Sequence, residues 1–182
     1  MRAIRVQDDE PEPDEVVRLV RAAQEGDRPA FAELYRRHTR AVHGILLARV
    51  AAIDVDDLVQ DVFMQAMQRL ETLQDPCAFA AWLGAIARNR AADHWRRRPT
   101  HVELPSYLST PPRDRTEALA ALAAIRAMPE AYRETLMLRL VEGMTGPEIA
   151  KCTGLTEGSV RVNLHRGMKE LRERLNSKGG RK

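Results

Sequence analysis

Along almost the whole chain apolar residues recur at spacings of three, four and seven, the period of helices with one buried stripe. The first run starts at Val16, Val17, Leu19 and Val20 and stops near Gly26. Asp27, a good N-cap, and Pro29 close behind it then start a longer helix. Its inward positions are Phe31, Leu34, Tyr35, Val42, Ile45 and Leu46. A third helix follows Asp54, with Val55, Leu58, Val59, Val62, Phe63, Ala66 and Leu70 tracing a full inner face. Asp57, Gln60, Asp61 and Met64 therefore point outward. A fourth begins around Pro76, buries Phe79, Trp82, Leu83 and Ile86, and runs into the basic sequence RNRAADHWRRR before Pro99 ends it. From there to about Asp114 four prolines and no clear period mark a linker. Helical patterns resume over 116–127, 129–142, 147–152 and 157 to about 175.

The pattern predicts an all-α protein of two small helical domains joined by a proline-rich linker. The segments are an acidic flexible tail (1–13), an amino-terminal domain (14–98), the linker (99–114), a carboxy-terminal domain (115–176) and a tail (177–182). Composition agrees, because eight aromatic residues and ten Gly in 182 residues argue against a β-sandwich or barrel. Cys77 and Cys152 lack any Cys-x-x-Cys partner, so neither a disulfide framework nor a zinc finger follows, and a reducing cytoplasm fits. Cys77 is expected to be a small, partly buried thiol, and Cys152 to pack within its helix. No apolar run approaches the roughly 18 residues of a membrane span, and the amino terminus turns acidic where a secretory signal would turn apolar. Membrane insertion and export are thus not expected.

Charge refines the picture. The 29 Lys+Arg against 26 Asp+Glu give +3, with 25 Arg and only 4 Lys. Residues 8–15 hold six acids, while residues 161–182 hold eight bases against two acids, a lean toward a polyanionic partner.

The sharpest motif is TGPEIAKCTGLTEGSVRVNLHRG, residues 145–167, which has the layout of a helix-turn-helix. Ala150 is small where two helices cross, Gly154 supplies the permissive turn, and Val160 is the apolar knob of the second helix. With Val160, Leu164, Met168 and Leu171 inward, Ser159, Val162, His165, Arg166 and Lys169 form the opposite face, flanked by Arg161 and Asn163. Such a face suits a major groove: Arg pairs with guanine, Asn with adenine, Val with a thymine methyl, and Lys169 and Arg172 with phosphates.

A second motif is the basic end of the fourth helix, where Arg88, Arg90, Arg96, Arg97 and Arg98 face only Asp93 in sequence. An Arg run there also complements a helix dipole, but Trp82, Asn89 and Trp95 beside it are the residue types that hold unstacked bases. The third is the acidic face AIDVDDLVQDVF. It lacks the glycine and terminal glutamate of a calcium loop, and Met64 among Asp57, Gln60 and Asp61 suits protein docking. The dispersed histidines (His38, His43, His94, His101, His165) and the missing Gly-rich loop suggest neither catalysis nor a cofactor or metal site.

Taken together, DDLVQDVF, WLGAIARNRAADHWRRR, the proline-rich stretch, MPEAYRETLMLRLVEGMTGPEIA and the helix-turn-helix resemble an extracytoplasmic-function (ECF) sigma factor of bacterial RNA polymerase, over about residues 14–175. The resemblance implies a cytoplasmic initiation factor that binds polymerase core through the β′ clamp helices and β flap. It would read a minus-ten promoter element as melted strand and a minus-thirty-five element as duplex, and be held by an anti-sigma factor seated on apolar surface between the domains. Asp57, Leu58, Gln60, Asp61 and Phe63 match the core-binding segment. By the face analysis Asp57, Gln60 and Asp61 make contact while Leu58 and Phe63 hold the helix. The resemblance further gives Asn89 the capture of a flipped minus-ten base, with the loop over 73–78 completing its pocket. Arg90, Arg96, Arg97 and Arg98 hold that strand's phosphates. Ser159, Arg161, Val162, Asn163, His165, Arg166 and Lys169 face the minus-thirty-five duplex, although Val162 and Asn163 stand where many relatives carry Ser-Arg. Two other classes also fit the residues: a stand-alone helix-turn-helix repressor, which needs neither the acidic face nor Asn89, and a protein-interaction scaffold, for which the basic face is irrelevant.

Overall fold

A computed structural model describes residues 13–97 and 113–179, with the side chains of 15–97 and 118–176 among them. The acidic stretch up to residue 12, most of the expected linker, Arg98 and the last three residues lie outside the described residues. Helices α1 (Pro13–Gln24), α2 (Arg28–Leu47), α3 (Val55–Arg69) and α4 (Phe79–Arg97) make the first group. Helices α5 (Arg113–Arg126), α6 (Glu130–Leu140), α7 (Gly146–Thr153) and α8 (Glu157–Gly179) make the second. The described residues contain no strand. Short 3-10 turns over Ala52–Asp54, Leu70–Thr72 and Pro76–Ala78 join the helices of the first group.

Local chemistry sets the boundaries. Asp27 accepts a hydrogen bond from the Ala30 amide at 3.2 Å and starts α2 behind Gly26, whose φ of 95° turns the chain. Thr145 and Glu148 form a reciprocal capping box at α7: the Glu148 amide donates to Thr145 Oγ1 and the Thr145 amide to the Glu148 carboxylate. Helix α8 continues past the expected end near Leu175, since no proline interrupts it and Gly179–Gly180 is the first strong breaker.

The inward stripes are buried as their periods require. Leu34, Ile45, Val62, Ala66 and Phe79 are fully buried, and Val55, Leu58, Val59, Phe63 and Leu70 nearly so. Tyr35 departs from its expected inward place. It is 38% exposed, its ring leaning on Phe63 with centroids 4.4 Å apart. Cys77 is a second departure: it is exposed, because Asp75 caps the turn by accepting from the Cys77 amide and leaves the side chain outside. Cys152 is buried.

The two groups dock on each other, α4 against α7 and α2 against α6, and their apolar residues form one continuous core. Glycine makes this possible at two crossings. A Cβ on Gly84 of α4 would clash with the Cys152 carbonyl oxygen, and one on Gly44 of α2 would stand 2.7 Å from Leu138. Polar contacts close the rim. The buried Glu134 carboxylate lies 2.5 Å from Arg49 and 2.9 Å from Arg88, Glu142 accepts from His43 Nδ1 at 2.6 Å, and Arg126 Nε donates to the Leu47 carbonyl at 3.2 Å.

Candidate nucleic-acid interface and docking face

The helix-turn-helix is built by α7 and α8. Gly154 closes α7 in the left-handed region (φ 75°, ψ 11°), which a Cβ would strain, and Thr156 then caps α8 by accepting from the Ser159 amide at 3.1 Å. Val160 is fully buried and Leu171 nearly so, while Leu164 and Met168 pack partly against the core. Ser159, Arg161, Val162, His165, Arg166 and Lys169 are thereby exposed on one side, with Asn163 half-buried at its edge. The Ser159 hydroxyl lies 2.9 Å from that of Thr156, which ties it to the cap. Among the described residues no acid pairs with Arg161, Arg166 or Lys169, so their charge faces outward uncompensated.

On α3, Leu58 and Phe63 are buried, and Asp57 and Gln60 are exposed on the opposite face beside Met64 (59% exposed) and Met67 (58%). Asp61 is half-buried and ion-paired with Arg90 of α4. That pair joins an acid and a base to which the sequence assigns different partners.

The arginines of α4 also differ from their appearance in sequence. Asp93 is not their sole counter-charge: Arg88 pairs with Glu134 of α6, Arg90 with Asp61 of α3, and Arg96 with Asp93 one turn away. Arg97 is exposed. Trp82 packs partly against the core, its ring centroid 5.9 Å from that of Phe79. Asn89 is exposed and lines a hollow of about 290 Å³ together with Arg49, Arg88, Trp95, Glu130 and Arg133. No residue of 73–78 lines it. Ala78 precedes Asn89 by eleven residues, about 16 Å along a helix.

Sequence reasoning missed Arg49, Glu130 and Glu134. A signal for Glu134 was present, since it lies three and four residues before Met137 and Leu138 and so shares their buried face. Nothing local marks Arg49, whose partners are 81 and 85 residues away. Among the described residues no cluster of His, Cys, Asp and Glu could hold a metal ion, and no helix is long and apolar enough to cross a membrane.

Comparison with known proteins returns two family models in chain order: Sigma-70 region 2 matches residues 34–99, and Sigma-70 region 4 matches residues 118–171. The ECF RNA polymerase sigma factor SigF of Caulobacter vibrioides is 32% identical over 132 residues, covering 70% of this chain and 74% of its own. The RNA polymerase sigma factor CarQ of Myxococcus xanthus is 32% identical over 165 residues, covering 84% of this chain and 92% of its own. Among solved structures, CnrH in complex with the cytosolic domain of CnrY superposes with a TM-score of 0.66 at 28% identity, over 90% of this chain and 99% of that one.

Proposed function

The chain belongs to the ECF RNA polymerase sigma factors of the sigma-70 family, and from that premise we propose how its residues share the work of initiation. An alternative sigma factor lends RNA polymerase core its choice of promoter, so its chemistry is binding and it needs no catalytic group of its own. Asp57 and Gln60 dock on the core, with Asp61 held ready by Arg90, while Leu58 and Phe63 fasten α3 from beneath. The outward face of α8 reads the minus-thirty-five duplex through Arg161, Val162, Asn163, His165 and Arg166, with Ser159 and Lys169 at the backbone. Asn89 takes a flipped base of the minus-ten strand. Arg96, Arg97 and Arg98 attract that strand's phosphates, and Arg90 joins them when polymerase takes Asp61.

Residues 14–98 and 115–176 act as the core-binding and duplex-reading domains, joined by 99–114, with acidic and basic tails at 1–13 and 177–182. The factor works in the cytoplasm, where polymerase and promoters are. An anti-sigma partner belongs to the same proposal. Its expected seat between the domains is filled by their own contacts here, and Leu140 and Val141, 47% and 48% exposed at the end of α6, offer apolar surface at the rim.

The observation that carries this reading is the combination, in one chain, of an uncompensated basic reading face on α8 and an acid-and-methionine face on α3. A repressor needs only the first. The test is transcription in vitro by sigma-free core polymerase on genomic fragments, with and without this chain. Discrete new start sites with shared upstream elements are expected, and Arg166→Ala should weaken use of one minus-thirty-five base position by roughly 1–3 kcal/mol. Lys169→Ala should instead weaken all promoters alike and flatten the salt dependence. Tight duplex binding without polymerase, and no new start sites, would establish the repressor instead.

A further inference from the structure

The hollow beside Asn89 has a wall that the reading above leaves unused. Trp95 is 57% exposed, yet its indole N–H donates to the Arg49 carbonyl at 2.7 Å, so the ring is pinned in place. Its neighbours one turn back on α4 are Ala91 and Ala92, which also line the hollow and are too small to cover the ring. Asn89, on the same helix, adds an amide that can both donate and accept. Around them stand the guanidinium groups of Arg49, Arg88 and Arg133; Glu130 and the buried Glu134 pair with Arg49 and Glu134 with Arg88, so among the described residues Arg133 is the one of the three without an acidic partner. At about 290 Å³ the space lies at the lower limit of ligand-holding hollows, roughly 300–1,000 Å³, and suits one flat ring system.

An exposed aromatic face, a forked amide and a guanidinium nearby make the combination that holds an unpaired base with its flanking phosphates. A base inside a duplex has both faces stacked on its neighbours and cannot offer one to an indole, so such a site selects melted strand. We propose that Trp95 is a stacking platform for one unpaired base of the minus-ten strand, with Asn89 reading that base or the one beside it. The proposal rests on the assignment of Asn89 above and adds a second contact to it. Asn89, Ala91, Ala92 and Trp95 all lie on α4, and Arg49 follows α2, so this wall does not depend on α6 being seated.

The experiment uses holoenzyme assembled from core polymerase and the full chain. Its probe is a single-stranded oligonucleotide bearing the minus-ten element found by the transcription assay, with 2-aminopurine placed at each position of the element in turn. Stacking on Trp95 should quench emission at one position. Trp95→Leu, helix-compatible at an exposed site, should abolish that quenching and weaken probe binding about 5- to 150-fold. Trp95→Phe, which keeps an aromatic face, should stay close to wild type, and binding to a minus-thirty-five duplex should not change with either variant. Equal probe affinity and equal quenching in Trp95→Leu would overturn the proposal while leaving the sigma-factor reading intact. Absence of start sites with the wild-type chain would overturn both. Should Trp95→Leu fail to fold, the wild-type scan decides, since a probe quenched at no position refutes stacking.

Discussion

The two thiols show how far a side chain's surroundings set its chemistry. Cys152 is 3% exposed, its Sγ–H donates to the Ile149 carbonyl at 3.4 Å, and burial pushes its pKa up to about 12. The reactive thiolate is therefore scarce at pH 8. Cys77 stands exposed on its capped turn. Brief treatment of the native protein with iodoacetamide at pH 8, followed by peptide mass spectrometry, is therefore expected to label Cys77 and spare Cys152 until denaturant is added. Equal labelling of both in the native state would contradict the packing of α7 described above. Glu134 teaches a related lesson, because its buried carboxylate is compensated by Arg88 of α4 and by Arg49 in the turn that follows α2.

Among the elements, α4 carries the most constraints. One side fills the core through Phe79, Leu83 and Ile86, another presents Asn89 and Trp95, and a third meets α7 through Gly84. Because the atom nearest a Cβ at Gly84 is backbone, it cannot swing aside, and relief requires the helices to part. Gly84→Ala should lower unfolding stability by roughly 1–3 kcal/mol, whereas Gly146→Ala, with open space around it, should change it little. Denaturant titration of both variants checks this, and equal midpoints would mean that the crossing is looser than described. The existence of α1 to α8 was legible because each turn repeats its apolar stripe. The helix-turn-helix was legible because Ala150, Gly154 and Val160 are demanded by geometry internal to twenty residues. The crossing at Gly84 was not, since the absence of a side chain leaves no mark on the hydrophobic period.

For the whole molecule, the His43–Glu142 contact between the two helical groups predicts a pH-dependent stability. The hydrogen bond to Glu142 raises the pKa of His43 above the ordinary value, against a smaller opposing effect of burial, and Asp56 adds to the rise. Arg40, which donates to the Glu142 carbonyl, is the cation on the same side of this contact. A group whose folded pKa is raised stabilises the fold fully below its unfolded pKa, about 6.5, and loses that contribution as pH rises through the folded value. Stability should therefore fall as pH rises above about 6.5, and His43→Gln should remove that slope. Denaturation curves of both proteins across this range, with His43 followed by NMR, provide the measurement. An identical slope in the variant would assign the dependence to other groups.

Local order and the two chemical faces were determined by the sequence itself. A 3.6-residue period, a cap such as Asp27 or Thr145 and a glycine such as Gly154 act over a few residues, so they specify helices, turns and the outward sides of α3 and α8 without reference to distant parts of the chain. Tertiary structure alone decided which charges are spoken for. Arg90 meets Asp61, Arg88 and Arg49 meet Glu134, and His43 meets Glu142 across separations of 29 to 99 residues. A lone Arg in a sequence has no preferred partner at such distances. Coulomb attraction in water at these separations is screened within about 10 Å, and only the close approach of helices α2, α3, α4 and α6 and the turns that follow α2 and α6 brings the groups inside that range.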